Sequence, residues 1–557
     1  MNFMAISRIA FGEWTPDQPG TTNGLQRAEN VFPKAVGYGP VQSAVNYSAS
    51  ASENLTNVVA GKTVNGATLV YAGGATKLFQ LDATDLSLDN ISKASKTITT
   101  VARTTNITTI TTSVAHGYSI GDSVTVTAVA NTSVNGTFTI LTVPTTTTFT
   151  YANTGTNIGS GADTGTVVFT YTTPTNQRWR FTQFGNVIIA ANGGNRLQGI
   201  NLNSAATFQD LATDAPKSRY ITVVRDFVVS GYAGIDNPNR VQWSALGDES
   251  SWTASATTQA DFQDIPDGGS VVGLSGGEFG LVFLDRSIHR MAYVGTPLIF
   301  QFDNISRNLG CYEANSIIQY AGTTFFLSDD GFYACDGQKV IPIGNEKVNR
   351  FFYNDIDEGL LPLMSAAVDP FRKLVVWAYA SNSSATVNKL LLYNYEIGRW
   401  SSGLTTADRV ATSSSPAFTL EGLDVFGNLE QINSSFDSRI WLGGKMQFAG
   451  VDQTKIVTFS GDPMTATIET GDIEVPASTS AITMAKPIVD NGSGNVALLS
   501  RRLLNETTVF GSQTVADSEN RVSIRGVGRY HRLQLTPTGS WTTVVGVDID
   551  LNGLGTR

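Results

Sequence analysis

An all-β fold is predicted for this chain: a β-propeller of six or seven blades, a small inserted β-barrel or sandwich, and a closing β-sandwich. Three observations predict it. The composition comes first: 54 Gly, 28 Phe and 17 Tyr with abundant Val and Thr, and only 15% charged residues. Helix-rich soluble chains carry charge nearer about a quarter of their residues, whereas aromatic and β-branched side chains suit half-buried pleated surfaces and glycine supplies turns with positive φ. Length is the second. At 557 residues the chain exceeds what one hydrophobic core covers, about 250–300 residues, unless units add radially as propeller blades do. The third is a recurring phrase of strand, Gly/Asn/Asp turn, strand and polar loop, spaced at about 40–50 residues, the period of a four-stranded blade.

Residues 1–60 hold little periodicity but many aromatics, as in Phe11-Gly-Glu-Trp14 and Val31-Phe-Pro33 to Tyr38. Disordered tails are poor in aromatics, so this segment is expected to be extended and packed on the propeller. Propeller residues are assigned to 61–96 and 172–444. Their repeated phrase begins with Thr68-Leu-Val-Tyr-Ala-Gly-Gly74 and returns at 187–202, 222–243, 271–294, 317–341 and 366–400, with a weaker copy at 418–442. The period is irregular, and a pair of β-sandwiches is the competing arrangement. Between the first two copies, residues 97–171 have almost no charge and about a third are Thr, far from ordinary usage. They read as a small β-barrel or sandwich that interrupts a blade and is dispensable, because loop tips accept insertions. Residues 445–557 read as a terminal β-sandwich. Its arginines Arg501, Arg502, Arg521, Arg525, Arg529 and Arg532 favour a solvated or subunit-facing surface over a nucleic-acid patch, since the unit is nearly charge-balanced.

Little in the sequence points to chemistry, and neither catalytic residue nor cofactor is expected. His116, His289 and His531 are the three histidines; they lie far apart and match no metal-ligand spacing, so they read as turn, strand and sheet residues. Cys311 and Cys335 are too few for a disulfide framework; burial as free thiols is favoured over one bridge across a hairpin. The pairs Gly73-Gly74, Gly193-Gly194, Gly268-Gly269 and Gly276-Gly277 open no helix and form no P-loop, so they read as hairpin turns rather than phosphate cradles. Asp261, Asp264 and Asp267 crowd one segment. Calcium ligation is conceivable there, but the spacing matches no known ligand loop and a solvated acidic loop is favoured. Ser328-Asp-Asp-Gly-Phe-Tyr333 partly matches the hairpin of sialidase-like propellers, a fold element rather than a catalytic one.

A net charge of −10 argues against a sequence-specific DNA binder, which presents a concentrated basic face. It is compatible with a wall past which DNA slides, since a negative wall repels phosphates. Neither a secretory leader nor an apolar run of about 18 residues is visible, so export and membrane spanning are not expected.

Several phrases carry a resemblance. Ser218-Arg-Tyr-Ile-Thr-Val-Val-Arg225-Asp226-Phe227, then Val241-Gln-Trp-Ser-Ala-Leu-Gly-Asp248-Glu249-Ser250-Ser-Trp252, resemble in order and texture the tail nozzle (hub) proteins of short-tailed bacteriophages. Gly277 to Tyr293, Phe325 to Tyr333, and Arg529-Tyr-His-Arg-Leu-Gln-Leu535 with Gly546-Val-Asp-Ile-Asp550 extend the likeness, while the Thr-rich insert departs from it. The resemblance implies a non-enzymatic virion protein, made in the host cytoplasm and assembled as a ring, usually of six copies. Such a ring would meet the tail adaptor, anchor fibre or needle proteins, and pass genomic DNA without specific binding. Asp248, Glu249 and the segment Asp261–Asp267 are the expected contributors to a weakly acidic lumen. The rival reading is a carbohydrate-binding or carbohydrate-degrading propeller acting on host polysaccharide.

Overall fold

The computed structural model describes residues 6–414 apart from 23, 205 and 235, together with 431–432, 444–474, 479–507 and 509–555. Nearly all regular structure is β; a seven-residue segment, Asn349–Asp355, is the α-helix among the described residues.

Seven four-stranded antiparallel meanders form the propeller. Blades 1 to 6 span 55–90, 180–210, 218–264, 271–306, 318–342 and 365–404, and blade 7 takes three strands from 409–458. The innermost strands, from Leu55–Lys62 through Ser218–Val224 to Arg409–Ser414, follow one another around an axis, and the first packs against the last. Blades bury both faces, so their second strands read as continuous apolar runs: Gly280–Leu284 and Leu374–Tyr379 are buried at every position. Hairpin turns are tight. Ser328 pairs with Gly331 across Asp329-Asp330, and Gly331 holds φ +146°, which only glycine adopts readily. Glycine also lets blades close up: a Cβ on Gly273 would lie 2.2 Å from the Ile317 side chain of the next blade.

The amino-terminal segment does more than pack on this body. It contributes strands β1 (Ile6–Ala10), β2 (Leu25–Glu29), β3 (Val31–Pro33), β4 (Tyr38–Pro40) and β5 (Val45–Asn46). β5 pairs with Lys455–Thr458 as the fourth strand of blade 7, so the two ends of the propeller are stitched together. β2 runs parallel to Arg399–Leu404 of blade 6 and antiparallel to Thr467–Thr470, making one nine-stranded sheet from the propeller into the terminal sandwich. β1 and β4 pair with Thr543–Gly555 in the other sheet of that sandwich, and β3 adds to it as the partner of β4.

Boundaries shift accordingly. The expected limit at 60/61 cuts through Leu55–Lys62, the innermost strand of blade 1. The expected limit at 444/445 excludes Met446–Asp452 and Lys455–Thr458, which belong to blade 7. The first strand pairs with its neighbour Thr68–Gly74 in a hairpin, whereas the strands of blade 7 pair with Arg409–Ser414 and β5, far off in sequence, a pairing that no local pattern records. Nearly all of the weak repeat at 418–442 falls outside the described residues; the strands of blade 7 bracket it.

The Thr-rich segment forms a six-stranded closed barrel, since Lys96–Thr104 pairs with both Ile107–Thr112 and Thr166–Thr170. Valines and aromatics fill it, while Thr125 hydroxyls bridge to Thr137 and Thr170 outside. It sits between blades 1 and 2 rather than inside a blade, because the strand before it, Leu88–Asn90, already completes blade 1. Its base is welded to the propeller. Lys93 reaches Asp210 at 2.6 Å and lies over Phe169, and Tyr171 packs edge-on against buried Trp179 at 5.0 Å. Thr97 and Thr166 are cross-strand partners, about 5 Å apart at Cα, so a short Gly/Ser bridge can replace 98–165. That excision is expected to yield a soluble, folded propeller. Deleting all of 97–171 removes Phe169 and Tyr171 as well and is expected to cost about 3–6 kcal/mol more, as for two lost large apolar side chains. Thermal melts of the two variants check the order; insoluble protein from the shorter excision at every bridge length would contradict it.

Candidate functional site

Residues singled out from sequence lie apart. His116 is buried beside the barrel, its Nδ1 accepting the Tyr118 N–H at 2.9 Å and its ring stacked on Tyr118. His289, on a blade 4 strand, contacts Ser287 Oγ and Asn304 Nδ2. His531 is fully buried between the two sheets of the sandwich, with Ser480 Oγ 2.9 Å from Nε2 and Ser500 Oγ 2.8 Å from Nδ1. Burial pushes all three imidazoles below the usual histidine range, towards the neutral form. Among the described residues no group of three or more His, Cys, Asp or Glu side chains could hold a metal ion. Cys311 and Cys335 are free and buried, and burial pushes the Cys311 thiol up to about 12, so it is not an activated nucleophile.

The acidic segment is a strand before it is a loop. Asp261 and Asp264 lie on the outermost strand of blade 3, where Asp264 accepts both Nε and Nη2 of Arg240 at 2.7 and 2.9 Å. Asp267 is exposed in the connection to blade 4. Asp248 accepts the Ser250 N–H in a surface turn, and the Glu249 carbonyl accepts Trp252 Nε1–H. Of the glycine pairs, Gly193-Gly194 and Gly276-Gly277 lie between successive strands of a blade and Gly73-Gly74 ends a strand. Gly268-Gly269 joins two blades and is not a hairpin turn. Arginines of the sandwich are mostly paired: Arg501 and Arg532 converge on buried Asp472 at 2.5 and 2.7 Å, Arg529 meets Glu474 and Arg521 meets Glu519.

What the sequence reading missed lies on the propeller axis. Two adjoining cavities of about 220 and 180 Å³ are lined by innermost strands of all seven blades and share Asn57, Arg180, Phe181 and Ile317. Arg180 begins the innermost strand of blade 2, and Arg178 lies two residues before it in the segment that leads in. Both reach across to the Ala314–Ser316 turn before blade 5: Arg180 donates to Asn315 Oδ1 at 2.7 Å and Arg178 to the Asn315 carbonyl at 3.3 Å. Asn315 is itself held by the Pro362 carbonyl and the Glu313 carboxylate. These contacts bridge the axis from blade 2 to blade 5. Arg180 also lies over the Tyr220 ring at 4.9 Å. Arg409, on the innermost strand of blade 7, adds a third guanidinium whose field reaches Arg178. An alternating Arg-Trp-Arg at 178–180 is the only local signal, and it does not reveal which way the strand faces.

No family model matches the chain, and no curated protein matches it. Among solved structures the computationally designed Ika8 protein is 11% identical over 76% of this chain and 100% of that one, with a TM-score of 0.31. The Neurospora crassa Pan2 WD40 domain is 7% identical over 66% and 90%, TM-score 0.30. The phage phi92 endosialidase is 12% identical over 57% and 64%, TM-score 0.20. Likeness at this level carries no functional argument; the strand order itself establishes an all-β protein built on a seven-bladed propeller.

Proposed function

We propose that this protein is a non-enzymatic structural subunit of a short-tailed phage tail, one copy of a nozzle ring below the portal and adaptor. The sequence resemblance supplies the family. The observation that carries a mechanical role is the nine-stranded sheet running from blade 6 through β2 into the terminal sandwich, with one apolar core on both sides of the junction. Two units joined in this way cannot hinge against each other, as a wall under internal pressure requires. Exposed Leu503, Leu504, Val509, Val515 and Val527 on the sandwich offer apolar surface for a neighbouring copy. Because Arg180 and Asn315 span the propeller's own axis, the DNA passage in this reading lies between copies. Exposed Asp248, Asp261 and Asp267, within a chain of net charge −10, would keep that passage from capturing phosphates.

Size-exclusion chromatography with light scattering is the test. A closed assembly at a multiple of the 59.4 kDa chain is expected, with no binding to duplex DNA at physiological salt tighter than the ~10⁻⁴–10⁻⁶ M of non-specific contacts. A monomer at micromolar concentration, or tighter DNA binding, would overturn the reading.

One observation favours a carbohydrate-directed role instead. A groove of about 510 Å³ at the rim between blades 1 and 2 is lined by Asp82, Asp89, Gln80, Asn203 and Thr207. Asp89 pairs opposite Gln80, and Asp82 follows the end of the strand Leu78–Leu81, so both carboxylates border the groove. Two carboxylates bordering one groove are the groups a glycosidase uses as acid and base. Release of reducing sugar from host polysaccharide, lost in Asp89→Asn, would select this reading.

A further inference from the structure

The charge inside the propeller axis is unbalanced. Arg178 is 8% exposed, and it approaches the axis together with Arg180 and Arg409. Among the described residues none of the three forms an ion pair, although fourteen such pairs form elsewhere. The carboxylates whose fields reach them, Glu313 and Asp408, are engaged with the backbone N–H groups of Asn315 and Gln453. Among the described residues Arg180 Nε, in the cavity wall, and Arg409 Nε, outside it, are buried without a partner. Burial and the two neighbouring guanidinium groups push Arg178 well below the usual arginine range, and burial raises Glu313 towards its neutral form. Buried guanidinium groups without counter-ions are costly unless something compensates them.

We infer that the axial cavity beside Arg178, Arg180 and Asn57 is a binding site for one small oxyanion, a phosphate or a carboxylate. A planar guanidinium fork matches such oxygens in pairs. The larger cavity, about 220 Å³, has room for roughly seven waters at about 30 Å³ each, enough for a compact anion with its residual hydration and too little for a polymer. Besides the polar Asn315 and Thr412, the walls include Val58, Val59, Ile317, Ile318 and Val410, whose low polarity strengthens the electrostatic attraction. Bound there, the anion would tie blade 2 to blade 5 through the Arg180–Asn315 bridge. The site is independent of the ring assignment and holds for either functional reading.

Isothermal titration of the full-length protein with inorganic phosphate, acetate and glucuronate, each against sodium chloride at equal ionic strength, tests it. Saturable binding of at least one of the three is expected, weakened at least tenfold in Arg180→Gln. Phosphate alone would identify a phosphoryl ligand and the two carboxylates alone a carboxylate; either supports the site. Absence of saturable binding by all three, or equal binding in Arg180→Gln, overturns it. Should Arg180→Gln fail to fold, the place of a soaked tungstate ion in crystals of the unmodified protein decides: anomalous density at the axis supports the site, and density only elsewhere or none overturns it.

Discussion

Removing residues 1–50 is expected to abolish soluble folding. The deletion strips three sheets at once. Without β5, the Lys455–Thr458 edge of blade 7 loses Val45 and Asn46, along with the bond from Tyr47 N–H to the Ile456 carbonyl at 2.8 Å. Without β2, blade 6 and the sandwich no longer share a sheet; without β1, the long strand Thr543–Gly555 loses five cross-strand partners. Unpaired edges of this kind template aggregation. The core loses Phe11, Trp14, Leu25, Val31 and Tyr38, each 4% exposed or less, at about 1.5–3 kcal/mol for a large apolar side chain. Their sum is comparable with the whole net stability of an ordinary domain, about 5–15 kcal/mol. Expression, sedimentation and limited proteolysis read the outcome. A soluble product that melts cooperatively within about 5 °C of the full chain, a shift of the order of 1 kcal/mol, would show that the amino-terminal strands are accessory.

Trp377→Ala is expected to be the most destabilising of the single core truncations in the propeller, by at least about 3 kcal/mol. Trp377 is fully buried, 4.8 Å from Phe332 of blade 5 and stacked on Trp400 at 5.6 Å. Its Nε1–H donates to the Ser316 carbonyl at 2.9 Å, so one side chain ties blade 6 to the turn that opens blade 5. Truncating a buried Trp costs about 3–5 kcal/mol, and leaving a buried carbonyl without its donor adds about 1–3 kcal/mol. Trp377→Phe should recover most of the packing and none of the hydrogen bond, placing it between the alanine variant and the parent. Urea midpoints followed by far-UV circular dichroism measure the series. A shift worth less than about 1 kcal/mol for the alanine variant would mean that the neighbouring aromatics close over the gap.

Short-range chemistry in the sequence was enough for the class of fold and for most of its parts. Alternating Val, Ile and Phe between Gly, Asn and Asp turns marks hairpins, because side-chain period and turn geometry are properties of a few consecutive residues. The Thr-rich, charge-poor stretch stood out for the same reason and closes into a barrel of its own. The thiols of Cys311 and Cys335 are free and buried, as the burial habit of cysteine suggested.

Tertiary structure decided whatever depends on residues far apart in the chain. β5 is two residues long and reads as loop, yet it completes blade 7 because a ring must be closed by whichever end of the chain reaches the open edge. β2 joins propeller to sandwich through partners more than 370 positions away, a pairing that leaves no local trace. Arg178, Arg180 and Arg409 look like ordinary solvated charges in sequence. They become a cationic cluster because Arg178 and Arg180 lead into the innermost strand of blade 2 and Arg409 sits on that of blade 7, and only the closed circle of blades brings those strands to one axis.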